Sequence, residues 1–355
     1  MPTPVLRRTI AELFMVPLPG PALDRASRRL LDEHPPGGVV LFRRNIRSAG
    51  QLADLTAAIH ALRPGRPPIV ALDHEGGRVH RLPAPFTHFP PAATAASRGD
   101  ARVIEAVGRA MGRELRSVGV DLDFAPVLDV RSNPRNRVIG DRAFDADPLR
   151  VARLGIALAR GLLRAGVLPC GKHFPGHGAS TGDSHFVLPR VRRSRRALAA
   201  DLAPFVRAIR AGIPALMTAH VVYPALDKRR PATLSPLICE RLLRRRLGFR
   251  GVLFSDDLEM NAVAARSTPG AAGVQALAAG CDLLLVCQSL DATTAAMRGV
   301  EQAIADGRLA PQRIATALSR IERLRRLLAG ARPAAPPIRR GWPAHARLAR
   351  RLAAA

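Results

Sequence analysis

The feature that most constrains the fold is an alternation: short, continuous apolar runs separated by longer segments with helical periodicity, repeated along nearly the whole chain. The strand candidates are Leu13–Pro17, Gly38–Phe42, Ile69–Leu72, Val120–Phe124, Leu168–Lys172, Ala215–Thr218, Val252–Ser255 and Leu283–Val286. Between them the spacing predicts helices over Asp24–Glu33, Gln51–Leu62, Ala101–Ser117, Arg150–Ala165, Ser194–Ala211, Ser235–Leu247, Ala262–Ala279 and Leu290–Asp306, with another near Pro311–Leu328. Gly119, Gly166, Gly212, Gly248 and Gly280 each follow a helix, where a left-handed C-cap favours glycine. Strands that are apolar throughout belong to a parallel sheet covered on both faces. A doubly wound sheet fits that pattern, but eight strands alternating with helices favour a single (β/α)8 TIM-type barrel.

Position then adds to pattern. Asp73, Asp123, Lys172, His173, His220 and Asp256 all fall at or just past the C-terminal end of a strand candidate. In a barrel those ends converge on one mouth, so residues far apart in sequence meet around one substrate.

The densest chemistry lies in Lys172-His173-Phe174-Pro175-Gly176-His177-Gly178, followed by Asp183-Ser184-His185. Lys172 is one of two lysines in a chain that otherwise uses arginine, which suggests that a compact ammonium is needed there. Zinc held by His173, His177, Asp183 and His185 is disfavoured, because Pro175 and Gly176 break the helix that an HxxxH pair would need. The reading preferred on the residues divides the segment: Lys172 and His173 bind substrate, and Asp183 with His185 forms a carboxylate–imidazole dyad able to give and take a proton near neutrality. Ordinary solvated polarity is the competing account of that loop.

In Val252-Leu253-Phe254-Ser255-Asp256-Asp257-Leu258, a carboxylate held rigidly at a strand end suits a nucleophile. Adjacent residues on a strand face opposite ways, so one aspartate is expected at the mouth. Asp256 is the candidate, with Asp257 available as a helix cap. In Asp73-His74-Glu75-Gly76-Gly77-Arg78-Val79-His80-Arg81, Asp73 and Arg81 are candidate ligands for sugar hydroxyls, while Glu75 and Arg78 are expected to form a structural ion pair. The glycine pair lacks the lysine and hydroxyl of a phosphate loop. Arg142, in a turn-rich loop after the fourth strand, is a further candidate substrate ligand.

Together, Asp73-His74-Glu75-Gly76-Gly77-Arg78, Asp123-Phe124-Ala125-Pro126-Val127-Leu128-Asp129-Val130, the Lys172 to Gly178 segment, Asp183-Ser184-His185 and Phe254-Ser255-Asp256-Asp257-Leu258 resemble glycoside hydrolase family 3. Within it they resemble the NagZ-type bacterial β-N-acetylhexosaminidases, over about Leu13 to Leu328. β-Glucosidase relatives take their acid/base from a second domain, for which 355 residues are expected to leave no room; this chain keeps the Asp-x-His loop instead. The resemblance implies a retaining, exo-acting β-N-acetylglucosaminidase acting on anhydro-muropeptides in cytoplasmic peptidoglycan recycling. It implies Asp256 as nucleophile, His185 as proton donor and acceptor, Asp183 as that histidine's support, and Asp73, Arg81, Arg142, Lys172 and His173 as substrate contacts. No cofactor or metal is expected. Substrate-assisted catalysis by the 2-acetamido group, with Asp256 and Asp257 orienting it, is the alternative mechanism.

The remaining sequence narrows the class. An apolar fraction of 47% supports a sizeable core. The net charge of +27 raises a nucleic-acid-binding barrel as an alternative. However, the arginine runs 190–196, 241–246 and 320–326 read as the polar sides of amphipathic helices, without aromatic stacking platforms. Cys170, Cys239, Cys281 and Cys287 lack CxxC spacing and read as reduced core residues. The first twenty residues make a poor signal peptide, and no apolar run approaches a membrane span. A cytoplasmic monomer is expected. The domain reading is a catalytic domain over 1–330 and a Pro/Arg-rich linker with a short basic helix over 331–355.

Overall fold

The protein is described here by a computed structural model covering residues 4–182, 187–331, 337 and 341–354. Its eight strands are β1 (Phe14–Pro17), β2 (Gly38–Leu41), β3 (Ile69–Leu72), β4 (Leu122–Asp123), β5 (Leu168–Phe174), β6 (Ala215–Thr218), β7 (Val252–Phe254) and β8 (Leu284–Leu285). All pair in parallel, in the order β7-β6-β5-β4-β3-β2-β1-β8. Register is set by pairs such as Val16 with Val39, Val39 with Val70 and Leu216 with Leu253. The two ends of the row meet where Phe254 bridges Leu283 and the Ser255 amide donates to the Leu283 carbonyl at 2.9 Å. Neighbours in space are therefore neighbours in sequence and the row closes on itself. This is the expected (β/α)8 barrel and not a doubly wound sheet.

The strands are buried along their whole length, as strands covered on both faces must be. Inside the barrel Phe124 and Phe254 meet edge to face, with ring centroids 5.5 Å apart. The surrounding helices begin where side chains can cap them: Asp24, Ser48, Asp100, Asp147, Ser194, Thr268 and Ser289 each accept a first-turn amide. Gly119, Gly166, Gly212 and Gly248, at φ 75°, 84°, 82° and 71°, take the left-handed conformation expected of helix stops.

Several elements differ from expectation. β5 runs two residues past Lys172 because Val127 bridges Lys172 and Thr218 pairs with Phe174, giving the longer strand neighbours on both sides. The helix expected over Ala262–Ala279 is two, Asn261–Ala264 and Pro269–Ala279, since Thr268 and Pro269 start a new one. Leu237–Arg246 is wound as a π-helix, its last turn closed by the Leu247 amide on the Leu242 carbonyl. Short helices at Pro4–Ala11 and Ala92–Arg98 were not signalled by a wide apolar stripe.

Part of the basic composition is structural. Beneath the barrel, at the opposite end from the strand C-termini, buried Asp282 receives Arg244 at 2.5 Å, Arg313 at 2.8 Å and Arg320 at 2.9 Å. Arg244 and Arg320 thus depart from the solvated-face reading of their runs. Pro343–Ala353 forms the basic helix of the tail, seated through Trp342 and Leu352, with His345 bonded to buried Glu114 at 2.7 Å. No helix among the described residues is long and apolar enough to cross a membrane. The four cysteines are buried and free.

Candidate active site

At the C-terminal ends of the strands lies a cavity of about 400 Å³. Its lining includes Asp73 and Glu75 after β3, Arg81 and Arg142 from the loops after β3 and β4, Lys172 and His173 on β5, and Asp256 and Asp257 after β7. Six of the eight residues singled out as site candidates from sequence are therefore brought together. The other two, Asp183 and His185, lie outside the described residues.

The floor is a buried ion cluster. Lys172 Nζ donates to Asp73 Oδ1 at 2.5 Å and meets Glu75 Oε1 at 2.6 Å. Arg142 grips Glu75 with two bonds of 2.8 Å, the forked geometry that only a guanidinium supplies. Burial alone would raise the Glu75 carboxyl, but Arg142 and Lys172 outweigh it and hold the group well below the usual carboxylate range. Likewise burial works to deprotonate Lys172, and the paired Asp73 and Glu75 reverse that, leaving an ammonium with its pKa raised. The expected Glu75–Arg78 pair does not form. Arg78 turns outward, donating to the carbonyls of Arg137 and Val138 and meeting Asp141 at 3.4 Å. Arg81 approaches the second oxygen of Asp73 at 3.7 Å, so donor and acceptor stand side by side, as hydroxyl recognition requires.

On β5, His173 is oriented by Asp129, whose Oδ2 lies 2.7 Å from Nδ1. Asp129 also accepts the His177 backbone amide at 2.6 Å. Sequence reasoning assigned Asp129 no role. The signal available was a carboxylate in an otherwise apolar stretch, Val127-Leu128-Asp129-Val130, running beside β5. Burial, helped by neighbouring His173, lowers the His177 ring to about 4, so it is neutral at physiological pH. Asp123, expected at the mouth, is instead fully buried beneath it, accepting the His74 amide at 2.9 Å; burial raises its carboxyl well above the usual range.

Both aspartates after β7 line the cavity, against the expectation that one alone would. They differ in what they touch. Asp257 is buried and its Oδ1 accepts the amides of Glu259 at 3.0 Å and Cys287 at 3.2 Å, a cap-like duty. Asp256 is partly exposed and its Oδ1 accepts the Asp257 amide at 2.9 Å. Behind them a chain of bonds returns to the same dipeptide: the Asp256 amide to Thr218 Oγ1 (3.3 Å), Thr218 to Thr233 (2.9 Å), Thr233 to His220 Nδ1 (2.8 Å), and His220 Nε2 to the Asp257 carbonyl (2.8 Å). Every member is buried apart from Asp256, so the loop bearing the carboxylates is held from behind.

Burial pushes the Asp257 carboxyl up to about 7; the Glu259 amide works against this, and the nearby Asp256 and Glu259 charges add to it. An acid whose folded pKa is raised binds more protons folded than unfolded, so it costs stability as pH climbs from its unfolded value toward its folded one. Asp257→Asn mimics the protonated form and keeps an acceptor oxygen. The melting temperature of this variant is expected to gain on wild type as pH rises from about 4 to about 7 and then to hold a constant lead. Parallel melting curves across that range would contradict the assignment.

Residues 5–324 match the family model described as glycosyl hydrolase family 3 N terminal domain. A β-hexosaminidase of Methylococcus capsulatus is 44% identical over 291 residues, covering 81% of this chain and 86% of that protein. Among solved structures, a glycoside hydrolase family 3 β-N-acetylglucosaminidase from Paenibacillus superimposes with a TM-score of 0.94 at 37% identity, over 98% of this chain and 68% of that one. NagZ from Neisseria gonorrhoeae does so with a TM-score of 0.78 at 37% identity, over 97% and 98%. The gonococcal protein has also been solved in complex with N-trifluoroacetyl-D-glucosamine.

Proposed function

The chain belongs to glycosyl hydrolase family 3 and is a β-N-acetylhexosaminidase, and from that premise we propose that it is exo-acting and retaining, removing terminal β-linked N-acetylglucosamine through a covalent intermediate on Asp256. Anhydro-muropeptides of peptidoglycan recycling in the cytoplasm are the proposed substrates. The observation that carries the reading is the opposition, across one cavity, of a part-exposed carboxylate just after β7 and an array of candidate hydroxyl-binding groups after β3 and on β5.

The array explains how the sugar is held. Asp73 and Arg81 offer adjacent acceptor and donor, Lys172 adds a further donor, and His173, whose Nδ1 donates to Asp129, leaves Nε2 as an acceptor beside the ring. Arg142 is already occupied by Glu75, so its role is to present the remaining guanidinium face to the cavity at a fixed position. A sugar fixed there places its anomeric carbon toward Asp256, the entropic advantage of a bound near-attack geometry. Asp256 attacks that carbon, the bond to the aglycone oxygen breaks, and His185, supported by Asp183, gives that oxygen its proton. In the second half, His185 takes a proton from water as the hydroxide displaces Asp256. A neutral imidazole repels an anionic aglycone less than a second carboxylate would.

The test is a chromogenic N-acetyl-β-glucosaminide together with a 2-fluoro glycoside that traps glycosyl-enzymes. Hydrolysis with retained configuration and a covalent label on Asp256 is the expected result. Both aspartates line the cavity, which favours one competing mechanism, attack by the substrate's own acetamido group with the pair orienting it. Hydrolysis without labelling would replace the covalent reading with that one.

A further inference from the structure

Charge is distributed unevenly around the mouth. On the β7–β8 side, Asp256, Asp257 and Glu259 line the cavity with no cation between them. On the opposite side, the cavity continues past Val79, Val138 and Arg142 into a second groove of about 590 Å³. That groove is lined by Arg78, Arg135, Asn136, Arg137, Thr181 and Gly182 in addition to the three shared residues, and no carboxylate is among them. Asp141 is not part of this lining and pairs with Arg78 at 3.4 Å.

The arginines of this groove are on a fixed support. Asn136 is buried and bonded in five directions: its Nδ2 donates to the carbonyls of His177 and Gly178 and to Ser180 Oγ, and its Oδ1 accepts the amides of Val138 and Ile139. It pins the loop to the segment after β5, leaving its two neighbours, Arg135 and Arg137, exposed on either side. Neither has a carboxylate partner among the described residues, although many arginines elsewhere in this chain do. Two guanidinia without a carboxylate partner among the described residues, on a fixed loop beside an active-site mouth, make a site for carboxylates.

We infer that this groove is the subsite for an anionic aglycone, and that Arg135 and Arg137 select substrates whose leaving group carries free carboxylates, such as an acidic peptide. This rests on the hydrolase reading above and deepens it. The acidic β7–β8 side repels such a group and the groove attracts it, so the leaving group points in one direction only.

The experiment compares two substrates, N-acetylglucosaminyl-muramyl-alanyl-isoglutamate as the free acid and as its carboxamide. Wild type is expected to prefer the acid in kcat/KM, less so in high salt. In R135Q/R137Q the acid-to-amide ratio is expected to fall about fivefold, the sum of two exposed charge pairs. R25Q/R28Q removes the same charge from the exposed helix Arg25–Glu33 and is expected to leave the ratio alone. Turnover of the carboxamide reports that each variant is folded. An unchanged ratio in R135Q/R137Q, or an equal fall in both variants, overturns the groove assignment while the hydrolase reading stands. Failure of wild type to cleave either substrate would overturn both.

Discussion

Asp256→Asn lowers kcat on an N-acetyl-β-glucosaminide by about ten-thousandfold, with KM changed little, if this carboxylate is the nucleophile. Asparagine has the same shape, keeps an oxygen for the Asp257 amide and leaves the cavity's other contacts in place, so binding survives while the attacking charge is gone. The comparison that gives the result meaning is Asp257→Asn. Asp257 is committed to the amides of Glu259 and Cys287, and its neutral form is populated up to about pH 7, so neutralising it is expected to cost far less than tenfold in kcat at that pH. A second check uses Asp256→Gly with azide: the small anion enters the space left, and turnover returns with the glycosyl azide formed in the inverted configuration. Steady-state rates for the two asparagine variants decide the matter. Near-normal activity in Asp256→Asn, or the larger loss in Asp257→Asn, would move the nucleophile to the neighbouring carboxylate or to the substrate's acetamido group.

What the sequence revealed of this arrangement, and what it hid, follows one physical division. Strands covered on both faces leave unbroken apolar runs, and helix stops leave glycines, so the barrel and nearly all of its element boundaries are legible locally. The identity of the mouth residues is legible for the same reason, because a strand end is a local feature and barrel closure does the rest. Partnerships are different. Glu75 sits three residues from Arg78, yet its partners are Arg142 and Lys172, far along the chain, because it points into the mouth while Arg78 turns to the Arg137 and Val138 carbonyls. Asp129 shows in the sequence only as a carboxylate in an apolar stretch, because its duty is set by His173 on β5. The arginine runs hid Arg244 and Arg320, since helical periodicity does not say that a carboxylate, Asp282, lies buried on the other side.

Those hidden partnerships carry the second large effect. Glu75→Gln is expected to destabilise the protein by about 3–5 kcal/mol, the typical result of removing one partner from a buried ion pair. The substitution conserves volume and leaves no cavity, so the loss comes from charge. Lys172 and Arg142 are then left facing each other in a buried site with Asp73 as their only nearby counter-ion of the original two. In a chain of this size the melting temperature should fall by roughly 4–7 °C at neutral pH. The sign of the pH dependence follows from the depressed carboxyls of Glu75 and Asp73. Their contribution is complete above the unfolded values near about 4 and is lost as pH falls further, so the gap between wild type and Glu75→Gln should close in acid. Lys172→Met in the same chain removes one of the stranded cations, and the double variant is expected to be more stable than the sum of the two single losses predicts. Calorimetry on the four proteins of this cycle measures the coupling directly. If the losses simply add, Glu75 and Lys172 do not stabilise one another, and Glu75 is held by Arg142 alone.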